Sequence, residues 1–302
     1  MLTRSIDDFR THWPTLQPTA AGCARAAFLV TPLGFNLAAQ SASDNRYMAM
    51  DAGVDPNAAL AEHAALARRV SNLMPTVCFP GDAATPDAVF PNNVFATAPG
   101  RSVIGRMRHA VRRREAQRPD IRGFFRDIVG YEEVDLSTMV GTAELTGSLV
   151  IDRARGIGYC GLGERCDEAG AAAMHAAFGL RLTFCFDLAP GEYHTNVVMS
   201  VLAGRALVIA PDGFADPAVA AAIADAYAPH TVTLDAAQKA DYAGNCIALS
   251  EDTVWMSERA AASLRPAQRA ALADGGFRIE AVALAEIEKA GGSLRCCVGE
   301  IY

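Results

Sequence analysis

Hydrophobic and polar positions alternate along this chain in short blocks that keep one recurring order. "GSLVIDRARGIGYCGL" reads as two apolar strands joined by a charged turn. "DEAGAAAMHAAFG" carries its apolar residues at helical spacing, and "LRLTFCFDL" returns to a strand. The order strand, strand, helix, strand recurs in "NVVMSVLAGRALVIAP", "DPAVAAAIADAYAP" and "HTVTLD", where Asp216 suits the N-cap and Pro217 the first helical position. A third copy runs through "NCIALSEDTVWMS", "AAASLRPAQRAALADGG" and "FRIEAVALA". A fourth, less regular, takes in "DAVFPNNVFATAPGRSVIGRM", the Arg-rich stretch to Asp127 and "VGYEEVDL".

The remaining pieces are a strand "RAAFLVTPL", a helix opened by Asp55 and Pro56, a strand "TVCFP" and the terminal "SLRCCVGEIY". Paired through the two termini, they make a fifth unit. The pattern predicts an α/β fold: a five-unit α/β propeller of strand-strand-helix-strand repeats around a central pocket, one domain over residues 1–302. An ordinary α/β sandwich is the competing architecture. Polar residues at or just before each unit's first strand favour the ring. Asp87, Glu144, His194, Asn245 and Cys296 follow one another at intervals of 57, 50, 51 and 51 residues. Equivalent positions in a ring converge on its axis, so two carboxylates, an imidazole, an amide and a thiol would meet there.

Composition narrows the function classes. A net charge of −7 argues against general nucleic-acid binding, which needs a basic footprint. The six arginines of "RMRHAVRRREAQR" (106–118) read as a solvated helix face. No apolar run approaches the roughly 18 residues of a membrane span, and the first residues lack a signal-like apolar core, so a soluble cytoplasmic protein is expected. The eight cysteines show no CxxC pair, and the nearest approach to one is Cys160 with Cys166. No metal, no cofactor and no disulfide framework are expected.

A thiol near a histidine is the minimum for nucleophilic catalysis, with thiolate attack and proton transfer by imidazole. Carboxylates facing the same pocket would grip a planar guanidinium. An amino-acid substrate also needs a cation for its own carboxylate, for which Arg106, Arg112 and Arg113 are the candidates. Asp87, beside Pro86, has turn capping as its rival role. On a strand only one of Cys296 and Cys297 could face the pocket.

The segments "PLGFN" (32–36), "TPDAVFPNNVFAT" (85–97), "AELTGSLVIDR" (143–153), "YHTNVVMS" (193–200), "YAGN" (242–245) and "GGSLRC" (291–296) together resemble the amidinotransferase (pentein) superfamily, most nearly its citrulline-utilisation hydrolases. The resemblance runs nearly end to end. It implies the five-unit propeller, Cys296 as nucleophile, His194 as general acid/base, Glu144 as its carboxylate partner and Asp87 as a substrate-binding carboxylate. Two departures stand out. His194-Thr195-Asn196 replaces the His-x-Asp of arginine deiminases, and Leu145 follows Glu144 where glycine is usual. Asn196, with Asn245 beside it, offers uncharged donors and acceptors to a neutral ureido group. The expected activity is therefore hydrolysis of citrulline or a related ureido or guanidino amino acid. Dimethylarginine dimethylaminohydrolase and arginine deiminase chemistry, a transferase, and a non-catalytic amino-acid-binding propeller are the alternatives. The expected partner is a small amino acid, and a homodimer stays open.

Overall fold

The computed structural model describes residues 1–302 as a mixed α/β fold with five separate sheets of one topology. Three of them unite Phe95–Ala98, Arg101–Ile104 and Glu132–Asp135; Met199–Leu202, Ala206–Ile209 and Thr231–Thr233; and Ile247–Ser250, Thr253–Ser257 and Arg278–Val282. A fourth unites Leu149–Asp152, Ile157–Leu162 and Leu182–Asp187. In each, the first strand is antiparallel to the second and the second parallel to the third. A hairpin serves the first junction, while the parallel one needs a crossover, which the helical blocks supply.

The fifth sheet joins the chain's ends. Gly299–Ile301 runs antiparallel to Ala26–Val30, with Gly299 opposite Phe28, and Thr76–Phe79 lies parallel on the far side. The expected pairing of the termini is observed. One further strand, Leu2–Thr3, adds itself parallel to Leu182–Asp187. The helix after it, Ile6–His12, seats Phe9 flat on Phe184 at 4.6 Å. Burying a side chain of this size contributes about 1.5–3 kcal/mol toward docking this seven-residue helix.

The crossover helices start where their caps require. Asp55 accepts from Asn57 and Ala58 to open Pro56–Leu73, Asp167 accepts from Gly170 to open Glu168–Ala177, and Asp216 accepts from Ala218 to open Pro217–Ala226. Two expectations are corrected. "AAASLRPAQRAALADGG" is two helices, Glu258–Ser263 and Pro266–Asp274, because the proline ring excludes helical backbone at Arg265, which is extended (ψ 155°). The Arg-rich stretch is not one solvated helix face. It breaks into Ala110–Arg113, Glu115–Gln117 and Pro119–Gly123, and Arg112 is buried.

Immediately before four of the five first strands the chain makes a short buried helical turn: Pro91–Asn93 (3-10), Leu145–Ser148, Thr195–Val198 and Leu294–Cys297. These turns carry or flank the polar residues in register. No helix is long and apolar enough to cross a membrane.

Candidate active site

Glu144 and His194 occupy equivalent positions, each at the N-cap of its helical turn. The turns pack together, and His194 Nε2 lies 2.8 Å from Glu144 Oε2. Gly147 is required there, since a Cβ on it would stand 2.7 Å from the imidazole. Glu144 is fully buried, and four groups compensate its charge. Besides His194, Arg165 Nη1 donates to Oε2 at 3.1 Å, Asn93 Nδ2 to Oε2 at 3.3 Å and the Arg108 backbone N–H to Oε1 at 3.1 Å. Burial alone would raise the Glu144 pKa, but the Arg165 charge and the His194 hydrogen bond more than offset it and hold the group below the usual carboxylate range. Burial pushes His194 the other way, toward the neutral imidazole, against the pull of Glu144. A neutral ring held by an ionised carboxylate is the state from which protons can be taken and returned.

Cys296 sits in the turn Leu294–Cys297. Its Sγ receives a hydrogen bond from Asn245 Nδ2 at 3.3 Å. Burial raises its thiol pKa, opposed first by a hydrogen bond from the Ser293 backbone, then by that from Asn245 and by the charges of Arg295 and Arg112. Cys296 lines the pocket, whereas Cys297 has no exposed surface and packs in an apolar cluster with Leu294 and Val298. The side chains part because a helical turn rotates them by about 100° per residue, not by strand alternation as expected. Arg295 turns away from the pocket to the Val298 carbonyl and, at 2.8 Å, to Glu300.

The pocket holds about 20 Å³, room for about one water. It gathers Cys296, His194 and Asp87 with Asn92, Asn93, Arg112 and Arg165, and Ser41 and Asn45 also line it. Asp87 is buried. Its Oδ2 accepts from Ser41 Oγ at 2.5 Å, while Oδ1 has no partner at all. The side chain caps no turn, and burial raises its pKa.

Of the three candidate arginines only Arg112 lines this pocket, clamped by Glu115 at 2.7 and 2.9 Å. Arg106 is spent on the Ser137 carbonyl, and Arg113 on those of Met107 and Arg108, so both are corrected as pocket residues. Asn196 and Asn245 are corrected as well, for neither lines the pocket. Asn196 Nδ2 donates to the Thr146 carbonyl at 3.1 Å, and Asn245 lies beneath the sulfur.

Arg165 is the residue that sequence reasoning missed. It is 3% exposed, pairs with both Glu144 and Asp44, and donates to the Ser41 carbonyl at 3.1 Å. It follows Arg112 by 53 residues, an interval close to that of the other site positions, and that spacing was the available signal. All eight cysteines are free thiols, and no three His, Cys, Asp or Glu side chains converge as metal ligands.

Both the sequence and the fold have known counterparts. A family model described as N,N dimethylarginine dimethylhydrolase, eukaryotic, matches residues 31–302. The N-terminal domain of ArgZ, an arginine dihydrolase from the ornithine-ammonia cycle in cyanobacteria, superposes in a substrate-bound mutant form with a TM-score of 0.79 at 18% identity, over 91% of this chain and 97% of that one. Unliganded AgrE gives a TM-score of 0.78 at 20% identity over 91% of this chain, which spans 39% of AgrE. A dimethylarginine dimethylaminohydrolase adduct with 4-chloro-2-hydroxymethylpyridine gives 0.69 at 20% identity, over 92% and 99%. No curated protein matches in sequence.

Proposed function

The chain belongs to the N,N-dimethylarginine dimethylhydrolase family, within the amidinotransferase (pentein) superfamily of hydrolases acting on C–N bonds other than peptide bonds, and from this we propose that it cleaves a guanidino C–N bond of an amino acid through a covalent S-linked adduct on Cys296. In this reading residues 1–302 are one domain whose five sheets are the blades of a propeller. Support comes from the repeated topology and from contacts between the first strands of neighbouring units, Gly299–Ile301 with Phe95–Ala98 and Met199–Leu202 with both Leu149–Asp152 and Ile247–Ser250. The free thiols suit a reducing compartment such as the cytoplasm.

The observation that carries the substrate class is the unpartnered Oδ1 of Asp87, buried in the pocket that also holds Cys296 and His194. A buried acceptor without a donor is costly and is relieved by a ligand that brings N–H groups, which a guanidinium does. His194 takes up the Cys296 thiol proton, and the thiolate adds to the guanidino carbon to form a tetrahedral adduct. The C–N bond breaks, and His194 protonates the departing amine. Water then gives a proton to His194 and adds to the S-linked carbon, and C–S cleavage returns the thiolate and releases a ureido amino acid. Glu144 keeps the imidazole oriented throughout. Arg112 and Arg165 supply positive charge for the substrate's carboxylate. Because the pocket now admits about one water, the segment carrying Ser41 and Asn45 must move for the substrate to enter. A solved structure of a variant ArgZ N-terminal domain is covalently bound to a reaction intermediate, which supports a covalent route here.

Citrulline is the second reading. Asn196 no longer argues for it, because its amide is committed away from the pocket. Asn92 does, since it gives the pocket wall a neutral amide, whereas Asn93 is committed at both ends, to Glu144 and to Arg112. The test is kcat/KM for arginine, asymmetric dimethylarginine and citrulline in one buffer, with ammonia and amine release as readout. A guanidino substrate favoured about tenfold, or ~1.4 kcal/mol, supports the first reading, and the reverse supports citrulline. No turnover of any of the three would leave an amino-acid-binding propeller.

A further inference from the structure

We propose that Asn245 is a positioning residue that holds the Cys296 sulfur as a hydrogen-bond acceptor and thereby favours its thiolate. This rests on the reading of Cys296 as the nucleophile. Asn245 is fully buried, and its Nδ2 lies 2.8 Å from the Asn196 backbone carbonyl oxygen and 3.3 Å from Cys296 Sγ. A carbonyl oxygen only accepts, so the carboxamide atom facing it is the nitrogen. That contact fixes which end of Asn245 meets the sulfur. One N–H goes to Asn196 and the other to Sγ, so the sulfur accepts.

An accepting sulfur is a better partner when charged, since hydrogen bonds to ionised groups are the stronger ones. The thiol proton, when present, is left with Asn196 Oδ1 at 4.0 Å, the outer limit for a sulfur donor. The pair of asparagines is thus asymmetric toward the anion. Asn245 Oδ1 has no partner and is buried, whereas a carboxamide serving only the fold would pair both its ends.

The charged and titratable groups around the sulfur are Arg112, Arg165, Asp87 and His194 on the pocket walls, and Arg295 and Cys297 on its own turn. Tyr193 lines the same pocket, and the Tyr193 and Tyr242 phenols both lie close enough to interact with the sulfur electrostatically. None of these side chains hydrogen-bonds to Sγ; the contacts to it come from the Ser293 backbone and from the side chains of Asn245 and Asn196. Burial raises the Cys296 pKa, and the Ser293 backbone and then the Asn245 contact oppose that rise.

The test is the pH dependence of Cys296 alkylation by iodoacetamide, followed on its peptide by mass spectrometry in wild type, Asn245→Ala and Asn245→Leu. The midpoint should move up by about one pH unit or more in both variants, and kcat/KM should fall at least tenfold at neutral pH. Asn245→Leu keeps a similar shape without adding a charge and reads the hydrogen bond even where the alanine variant does not fold. Midpoints within about 0.3 unit of wild type would overturn the proposal. The two readings separate cleanly. A shifted midpoint with turnover surviving in Cys296→Ser would remove the nucleophile assignment and leave the hydrogen bond standing.

Discussion

Replacing Arg165 by Met removes a guanidinium that the buried Glu144 and the half-buried Asp44 depend on. The methionine occupies a similar volume, so the perturbation is one of charge and hydrogen bonding. Arg165 donates to Glu144 at 3.1 Å, to Asp44 Oδ2 at 2.9 Å and to the Ser41 carbonyl, and it is 3% exposed. Breaking a buried pair by deleting one partner typically costs about 3–5 kcal/mol, because the remaining charge is left uncompensated. Against a total of about 5–15 kcal/mol that is a large fraction of the fold's stability. The cost depends on pH in a fixed sense. Glu144 and Asp44 have folded pKa values below their ordinary values of 4.5 and 3.8, so each contributes stability that is present above its unfolded pKa and lost as pH falls through its folded one. Without Arg165, burial acts on Glu144 with less opposition, its pKa rises, and protonation relieves the variant. Urea denaturation should therefore show Arg165→Met destabilised by about 3–5 kcal/mol at pH 7 and by less near pH 4. A loss under about 1 kcal/mol at pH 7, or one that does not shrink in acid, would refute the charge argument.

Two further changes probe the site. Cys296→Ser should abolish turnover in a folded protein, while Cys297→Ser should keep the activity and lose about 1–3 kcal/mol by placing a hydroxyl in an apolar cluster; equal activity loss from both would dismiss the assignment. Gly147→Ala drives a methyl to within 2.7 Å of the His194 ring. It should lower kcat at least tenfold with little change in KM, and wild-type kcat would show that the imidazole can shift without consequence.

Much of this architecture was legible because period-2 blocks alternate with capped helices. Asp55 and Asp216 each open the helix their position announced. The pairing of the chain ends was legible too, since two leftover strands needed partners. Arg165 was not, because an arginine after a strand looks like a solvated turn residue until its carboxylate partners, 21 and 121 positions away, are known. Asn196 misled for a related reason. Sequence shows that an amide stands two residues after His194, but not that the Thr146 carbonyl has already claimed its nitrogen.

The turns that carry the site explain why adjacent cysteines were hard to tell apart. Four-residue helical turns such as Leu294–Cys297 and Thr195–Val198 are too short to show a helical period, and each runs straight into a strand. Read as strand, Cys296 and Cys297 differ by half a rotation, and a one-residue slip would exchange them. Read as a turn anchored at Ser293, whose hydroxyl donates to Glu288 at 2.6 Å and whose carbonyl accepts from the Cys296 and Cys297 amides, their directions are set by the anchor. The same device serves His194 and Glu144, which sit at the caps where the backbone has not yet become helical and the side chain can reach across to the next unit. Short turns thus let strands that belong to different sheets deliver side chains to one point. The interval of about 50 residues between those side chains is the trace of that device that survives in the sequence.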